Sequence, residues 1–360
     1  MIVRVILLFS NAIQVQTEIL NQIFIMENIV CLTEREIETF FPNGQWNDAM
    51  SLMQTSESFD PLTFENEDEW LNLLRDRNPE VLMAGWKTPP LPENLSEVAP
   101  RLKYVCYLPG SIRKLVPRKA IEEGLLVTSW SSSVSRTISE CALLLALTCM
   151  RRVRYWTEEM HFNGGWKDQS TETQSLFERR VGLHGLGLIS QKLVDLLKPF
   201  TNNITAFSPS VPDSIYESLG VGRSNSLEEL FSENDVIIEL AALTPKTTGM
   251  VTEAHLRMMP QGAAFVNVGR GAVVDEDALA RVAAEREDIQ VALDVYGIEP
   301  LPKDSPFRGM KNVMLLPHLG GPTIDRRCDA GAHGLANLRR YLAGEELLDP
   351  YNVGMYDRAS

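Results

Sequence analysis

Three hundred and sixty residues are too many for one small core and imply two domains. Hydrophobic residues at 44% and charged residues at 23% are those of a soluble globular chain. Asp+Glu 48 against Lys+Arg 34 leaves a formal charge of −14, which argues against nucleic acid and against an anionic membrane, because phosphate contacts need clustered cations; a small anion held by one well-placed Arg stays open.

Cys31, Cys106, Cys141, Cys149 and Cys328 form no CxxC pair, so reduced thiols in a cytoplasmic protein are expected, and no metal site. Met1–Phe9 has a single Arg and a short apolar run followed by polar Ser10 and Asn11; it reads as a buried strand rather than a secretory leader. Strands are expected over Val3–Phe9, Asn28–Leu32, Glu80–Ala84, Lys103–Tyr107 and Leu125–Thr128, and helices over Gln14–Phe24, Thr33–Phe41, Glu67–Arg75 and Pro117–Glu123. Such alternation implies a parallel sheet covered on both faces. Pro42–Asn66 is polar and aperiodic and reads as a long loop.

Ser135–Arg151 is apolar on nearly all sides, as a helix buried between larger bodies would be. No stretch approaches the roughly 18 apolar residues of a membrane span. Arg152–Arg180 reads as an extended arm. From Val181 the alternation restarts. Strands over Val181–His184, Asn203–Phe207, Val221–Arg223, Asp235–Ala241, Ala263–Val268, Gln290–Val295 and Val313–Leu316 are interleaved with helices over Leu188–Leu197, Asp213–Leu219, Leu227–Ser232, Glu253–Met259 and Glu276–Ala284. This is the pattern of a doubly wound α/β domain that binds a dinucleotide. A last helix, Asp325–Leu342, returns to the first domain, giving expected domains of 1–128 with 319–360, and 129–318.

Gly182-Leu-His-Gly-Leu-Gly-Leu-Ile-Ser190 lies where a strand becomes a helix. Gly185 permits the tight turn, Gly187 lets the backbone approach a pyrophosphate, and the N–H groups of the helix start at Leu188 and Ile189 face that anion. Ser190 replaces the third glycine, so the motif alone also fits a βα turn that binds nothing. An acidic residue that would hold a ribose 2′-OH is absent at the end of the next strand, where Ser208 stands, and no cation follows before Arg223. The reading leans to NAD, with NADP not excluded.

Ligands of an open parallel sheet bind beyond the carboxyl ends of its strands. Three strands end there in Arg270, Glu299 and His318. Taken singly these are a surface cap, a solvated acid and a turn histidine. Together they suit reduction of a 2-oxo acid without metal: Arg270 pairs the carboxylate and polarises the carbonyl, His318 gives the proton, and Glu299 orients the imidazole.

These residues carry a resemblance to the D-isomer-specific 2-hydroxyacid dehydrogenases. The chain is similar to them from about Leu102 to Leu342, through Val181-Gly-Leu-His-Gly-Leu-Gly187, Leu243-Thr-Pro-Lys-Thr-Thr-Gly249, Asn267-Val-Gly-Arg-Gly-Ala-Val-Val-Asp-Glu276, Ala292-Leu-Asp-Val-Tyr296 with Glu299-Pro300, and Pro317-His-Leu-Gly-Gly321. The resemblance implies two doubly wound parallel-sheet domains, a Rossmann-type NAD(P)-binding domain inserted into a flavodoxin-like substrate domain formed by both chain ends. It implies the three catalytic roles above, and a cofactor set of Gly185, Leu186, Gly187, Leu188, Ile189, Ser208, Leu240, Ala241, Val268, Gly269, Asp294 and Gly320, with Asp294 on the nicotinamide carboxamide. It implies a substrate carboxylate on the Gly110-Ser111 backbone as well as Arg270, and a homodimer to which the arm around Gly165-Trp166 contributes. Leu240 and Ala242 stand where the family commonly has His and Pro, altering the adenosine-side wall.

Trp86, after a first-domain strand, either lines the substrate pocket or simply packs; Arg113 is either a second cation or a surface residue. His184 reads as a satisfied core histidine. The expected activity is interconversion of a 2-oxo acid and its D-2-hydroxy acid, with glyoxylate, hydroxypyruvate or 3-phosphoglycerate all fitting. Phosphite-type oxidation and a catalytically weak NAD(H)-sensing protein of the same fold are the alternatives.

Overall fold

A computed structural model of the chain describes residues 28–55, 57–169 and 171–358. The strand expected over Val3–Phe9 and the helix over Gln14–Phe24 lie outside these residues. The chain divides into two compact units, 28–129 with 331–353 and 130–330 with 354–358.

The first unit is a four-stranded parallel sheet of β1 (Ile29–Cys31), β2 (Val81–Ala84), β3 (Tyr104–Tyr107) and β4 (Leu126–Thr128), in that spatial order. β1 to β3 are buried at every position, as strands covered on both faces must be. The helix Glu34–Phe40 starts at a capping box in which Glu36 accepts from the Thr33 N–H and the Thr33 hydroxyl accepts from the Glu36 N–H. The helix Glu67–Arg77 is capped by Asn66, with three acids in its first turn and two arginines in its last, matching the helix dipole.

The second unit is a seven-stranded sheet, also all parallel. Its strands are β5 (Val181–His184), β6 (Ile204–Phe207), β7 (Gly222–Arg223), β8 (Val236–Glu239), β9 (Ala264–Asn267), β10 (Gln290–Leu293) and β11 (Val313–Leu315). The spatial order β7-β6-β5-β8-β9-β10-β11 reverses between β5 and β8, the switch point where doubly wound sheets take ligands. One face packs Ile237, Phe265 and Leu293 against Leu230, Phe231 and Leu279; the other packs Val181, Leu183 and Val266 against Ala142, Leu145 and Leu193. Each fully buried Val, Leu, Ile or Phe among them contributes about 1.5–3 kcal/mol.

Five local expectations are corrected. Pro42–Asn66 is not simply a loop: Gln45–Met53 is helical, but buries only Ala49 and Met53, too little apolar surface to show a period. The arm contains a helix over Val153–Glu158 that widens to Asn163; none of its residues is buried, so again no apolar stripe marks it. Ser131–Met150 is long and apolar enough to cross a membrane by length and composition alone. Its helical part, Ser135–Met150, buries Ala142, Leu145, Ala146 and Cys149 in the core of the seven-stranded unit, while Leu144 on the other side is 54% exposed. β8, expected to reach Ala241, stops at Glu239, whose Oε1 accepts the Ala241 N–H at 2.7 Å and bends the chain out of the ladder. Residues 319–330 group with the seven-stranded unit rather than with the terminal segments, because Asp294 accepts the Leu319 and Gly320 N–H groups at 2.6 and 2.7 Å.

At the base of this sheet Arg286 donates through Nη2 and Nε to Asp288, at 2.7 and 3.1 Å, and Asp288 also accepts the Gly262 N–H at 3.0 Å. The Arg286 guanidinium holds this carboxyl below the usual carboxylate range. A depressed folded pKa contributes stability above the unfolded value, about 3.9, which is lost as pH falls through the folded value. Asp288→Asn is expected to cost about 1 kcal/mol at pH 7, a figure already reduced for solvent screening, with the difference closing below about pH 4. Urea unfolding of both proteins at pH 7 and pH 3 measures it; an equal gap at both pH values refutes the ion pair.

Candidate active site

The glycine-rich turn follows β5 directly. Gly185 has φ +93°, a left-handed value, and a Cβ on it would lie 3.0 Å from the Ala241 backbone nitrogen, so glycine is required twice over. Nothing lies within 4 Å of where a Gly187 Cβ would be, which leaves open space above the turn. The ten-residue helix Leu188–Leu197 begins there with no side-chain cap, so its first N–H groups are available to an anion. These features fit a dinucleotide pyrophosphate. Leu186 is fully buried in the core, so only its backbone faces the turn; Leu188 is exposed and Ile189 half-buried. Ser190 packs where a third glycine would be, its buried hydroxyl lacking a partner among the described residues.

At the end of β6, the Ser208 N–H donates to the Tyr216 hydroxyl at 3.0 Å, and that hydroxyl donates back to the Ser208 carbonyl at 3.2 Å. Arg223 stacks on the Tyr216 ring, 4.8 Å from its centroid, and is paired with Asp213 at 2.6 Å. The cation nearest in sequence to a ribose 2′-phosphate therefore already has an acid. Leu240 is half-buried, while Ala241 and Val268 are buried.

Arg270, Glu299 and His318 are brought together past β9, β10 and β11. His318 Nδ1 lies 2.7 Å from Glu299 Oε2, and Glu299 Oε1 accepts the Tyr296 N–H at 3.0 Å. His318 has φ +54°, a conformation that costs a non-glycine residue energy and recurs at functional sites. Arg270 is fixed by its own Nη1, which donates to the Gly269 carbonyl at 2.8 Å. Burial lowers the Arg270 pKa from its very high ordinary value, and the Glu299 charge opposes that fall. Burial raises the Asp294 carboxyl, while the backbone N–H groups it accepts pull it back.

Asp294 is 1% exposed, and both of its oxygens bind the loop after His318, so it is an anchor for that loop. Three further residues, not singled out from the sequence, hold the site. Glu276 accepts the Gly297 N–H at 2.8 Å; its carboxyl is raised by burial. The Tyr296 hydroxyl, pushed up to about 12 by burial, donates to the Leu316 carbonyl at 2.8 Å and joins the Glu299 loop to the His318 loop. Asn267 accepts the Gly269 N–H at 3.0 Å and donates to the Arg270 carbonyl at 3.3 Å. Asn267 and Tyr296 carry one sequence signal, a polar residue at or just beyond an apolar strand; Glu276 is the first residue of the helix Glu276–Glu285.

Trp86, Gly110 and Ser111 belong to the four-stranded unit. Trp86 is 42% exposed and packs on Phe40 with ring centroids 4.8 Å apart. Its loop is held by Glu36, which accepts the Lys87 N–H at 3.1 Å, and by Thr88, whose hydroxyl accepts the Gly85 N–H at 2.9 Å. The Gly110 carbonyl accepts from the Tyr351 hydroxyl at 3.3 Å; Gly110 and Ser111 are half-buried. His184 is buried and satisfied by Glu239, 2.5 Å away. Among the described residues no group of three or more His, Cys, Asp or Glu is placed to hold a metal ion.

Residues 143–320 match the family profile "D-isomer specific 2-hydroxyacid dehydrogenase, NAD binding domain". The chain is 28% identical over 298 residues, 83% of its length, to D-3-phosphoglycerate dehydrogenase of Methanocaldococcus jannaschii, and spans little more than half, 56%, of that protein. It is 30% identical over 258 residues to glyoxylate reductase of Aeropyrum pernix, covering 70% of this chain and 77% of the relative. The structure of apo D-mandelate dehydrogenase from Rhodotorula graminis aligns with a TM-score of 0.76 at 21% identity, over 90% of this chain and 97% of that one, a likeness of fold.

A Cβ on Gly320 would lie 2.7 Å from Asp294 Oδ2 and 3.5 Å from Cys141 Sγ. Gly320→Ala is therefore expected to cost about 1–3 kcal/mol, the usual range for overpacking, in chemical denaturation; wild-type stability would mean that the loop is not clamped on Asp294.

Proposed function

Since the chain belongs to the D-isomer specific 2-hydroxyacid dehydrogenase family, we propose that it reduces a 2-oxo acid to the D-2-hydroxy acid, and catalyses the reverse, with Arg270, Glu299 and His318 as the acting side chains. The observation that carries this reading is the 2.7 Å pairing of His318 with Glu299 on a sheet whose switch point bears the dinucleotide turn. The nicotinamide, when bound, supplies or accepts the hydride.

Arg270 takes the substrate carboxylate in its guanidinium fork and polarises the adjacent carbonyl. Glu299 accepts from Nδ1–H of His318, which leaves Nε2–H for the substrate and sets a carboxylate against the charge of the protonated ring. As hydride reaches the carbonyl carbon, His318 gives its Nε2 proton to the oxygen, and it takes that proton back in the oxidative direction. The Gly185–Ile189 backbone receives the pyrophosphate, with Ser208, Leu240, Ala241, Val268, Gly269 and Gly320 along the rest of the cofactor. Asp294 reaches the carboxamide only with what its loop hydrogen bonds leave over. NAD is the expected cofactor, because Arg223 is already neutralised by Asp213. Trp86 and the Gly110-Ser111 backbone are proposed to meet the substrate; small 2-oxo acids such as glyoxylate and hydroxypyruvate are the class to test.

The test follows loss of reduced-nicotinamide absorbance with NADH and NADPH against glyoxylate, hydroxypyruvate and larger 2-oxo acids. His318→Ala is expected to cut turnover at least about 100-fold while leaving NADH affinity nearly intact. Undiminished turnover in that variant removes His318 from the mechanism; cofactor binding without turnover of any acid moves the reading to the phosphite-type or sensing alternative.

We also propose a homodimer. Leu144, Met160, Phe162 and Trp166 are 54%, 50%, 82% and 73% exposed on the long helix and the arm, large apolar side chains that a second copy would cover. Light scattering is expected to give twice the chain mass for the wild type and a single chain for F162E/W166E. A monomeric wild type ends the proposal.

A further inference from the structure

In a parallel sheet, residues in register on neighbouring strands share a face. At the carboxyl rim of the seven-stranded sheet the register runs Phe207, His184, Glu239, Asn267, Leu293, Leu315. Three central members of this row are polar, each the last residue of its strand, and each is nearly or fully buried: 3% exposed for His184, 0% for Glu239 and 1% for Asn267. A buried carboxylate in the middle of a sheet is costly unless every lone pair it presents is used. Glu239 uses both oxygens: Oε2 lies 2.5 Å from His184 Nδ1, and Oε1 accepts the Ala241 N–H at 2.7 Å. The His184 ring leans on Phe207 with centroids 6.0 Å apart.

The segment so pinned, Leu240–Ala241, lies between two loops of the site. On one side the Gly185 Cα approaches so closely that a Cβ would meet Ala241 N and Cα at 3.0 Å. On the other, a Cβ on Gly269 would meet the Glu239 carbonyl at 3.1 Å and Leu240 Cα at 3.2 Å. One wall therefore separates the glycine turn from the loop that carries Arg270, and Glu239 holds it at its root. Asn267, next in the row, holds the far side of the second loop through the Gly269 N–H.

We propose that Glu239 and His184 are a positioning pair for the nicotinamide dinucleotide, setting the Leu240–Ala241 wall and through it the spacing between the pyrophosphate turn and the Arg270 loop. Neither residue touches the ligand. Fold stability alone does not call for the pair, since two apolar side chains of similar volume commonly serve a buried site as well. What apolar side chains cannot do is accept the Ala241 N–H and thereby fix the wall. The pair acts on binding; His318 and Glu299 sit on other loops and are left as they are.

The inference rests on the cofactor reading above, and the experiment separates the two. NADH and NADPH titrations of the wild-type protein come first, by quenching of protein fluorescence; binding of neither overturns the cofactor reading and the inference with it. Given wild-type binding, His184→Ile with Glu239→Leu is the apolar replacement, with H184L/E239M as a second packing should the first fail to fold. The folded double variant is expected to keep a thermal midpoint close to wild type and to lose about tenfold in NADH affinity, the worth of one charge-assisted hydrogen bond. Its KM for the 2-oxo acid should rise with kcat at saturation within about threefold of wild type, the pattern of lost binding without lost chemistry. Glu239→Gln, which can still accept the Ala241 N–H and donate to a neutral His184 ring, should restore NADH affinity to within about threefold of wild type. A folded double variant that binds NADH as tightly as wild type, or an E239Q variant as weak as the double variant, overturns the proposal.

Discussion

The site depends on one constraint, the common level at which the parallel strands of the larger sheet end. Because β5, β8, β9, β10 and β11 pair in parallel with no offset at their last residues, five loops leave the sheet at the same rim. The glycine turn, the Leu240–Ala241 wall, the Arg270 loop, the Glu299 loop and the His318 loop are those five. A one-residue slip in any pair would send that strand's side chains to the opposite face, so the hydrophobic pattern that fixes the core also fixes the geometry of the chemistry.

Loops that merely leave a rim together would still wander, and here buried acids receive their backbone N–H groups. Asp294 takes two from the His318 loop, Glu276 takes one from the Glu299 loop, Glu239 takes one from the wall, and Glu299 itself takes the Tyr296 N–H. A carboxylate suits this work because it accepts several bonds at once and because bonds to a charged acceptor are about twice as strong as neutral ones. Its desolvation cost is the reason the Asp294 and Glu276 carboxyls are raised. The strain of a left-handed His318 is borne by these anchors, since Asp294 grips the two residues that follow it.

Both sheets, their parallel sense and nearly every strand of the larger unit follow from runs of buried β-branched and apolar residues divided by helical patterns. The turn at Gly185 and the three strand-end residues could be read the same way, since each is a residue type out of keeping with the apolar run before it. What could not be read is cross-strand pairing. His184 is visible as a polar residue in an apolar strand, but its partner lies 55 residues on, and nothing in the order Val236-Ile-Ile-Glu239 says which neighbour the acid will meet. Glu276 and Tyr296 were hidden because their partners, Gly297 and Leu316, lie 21 and 20 residues on, in loops. The helices Gln45–Met53 and Val153–Glu158 escaped because they bury two residues and none and neither starts at a side-chain cap, so neither an apolar period nor a capping residue marks them.

Charge is the remaining problem for a chain at −14 whose proposed ligands are anions. The acids nearest the site are all engaged: Glu299 faces His318, and Asp294, Glu276 and Glu239 accept backbone N–H groups whose dipoles oppose part of each charge. Arg270 then needs to supply only one charge, and burial strengthens its effect by keeping water from screening it. The pyrophosphate turn uses no side-chain cation at all, only helix N–H groups and the dipole behind them. A strongly acidic surface and an anion-binding interior are compatible when the attraction is local and dry while the surplus charge is spread in solvent, where screening reduces it within about 10 Å.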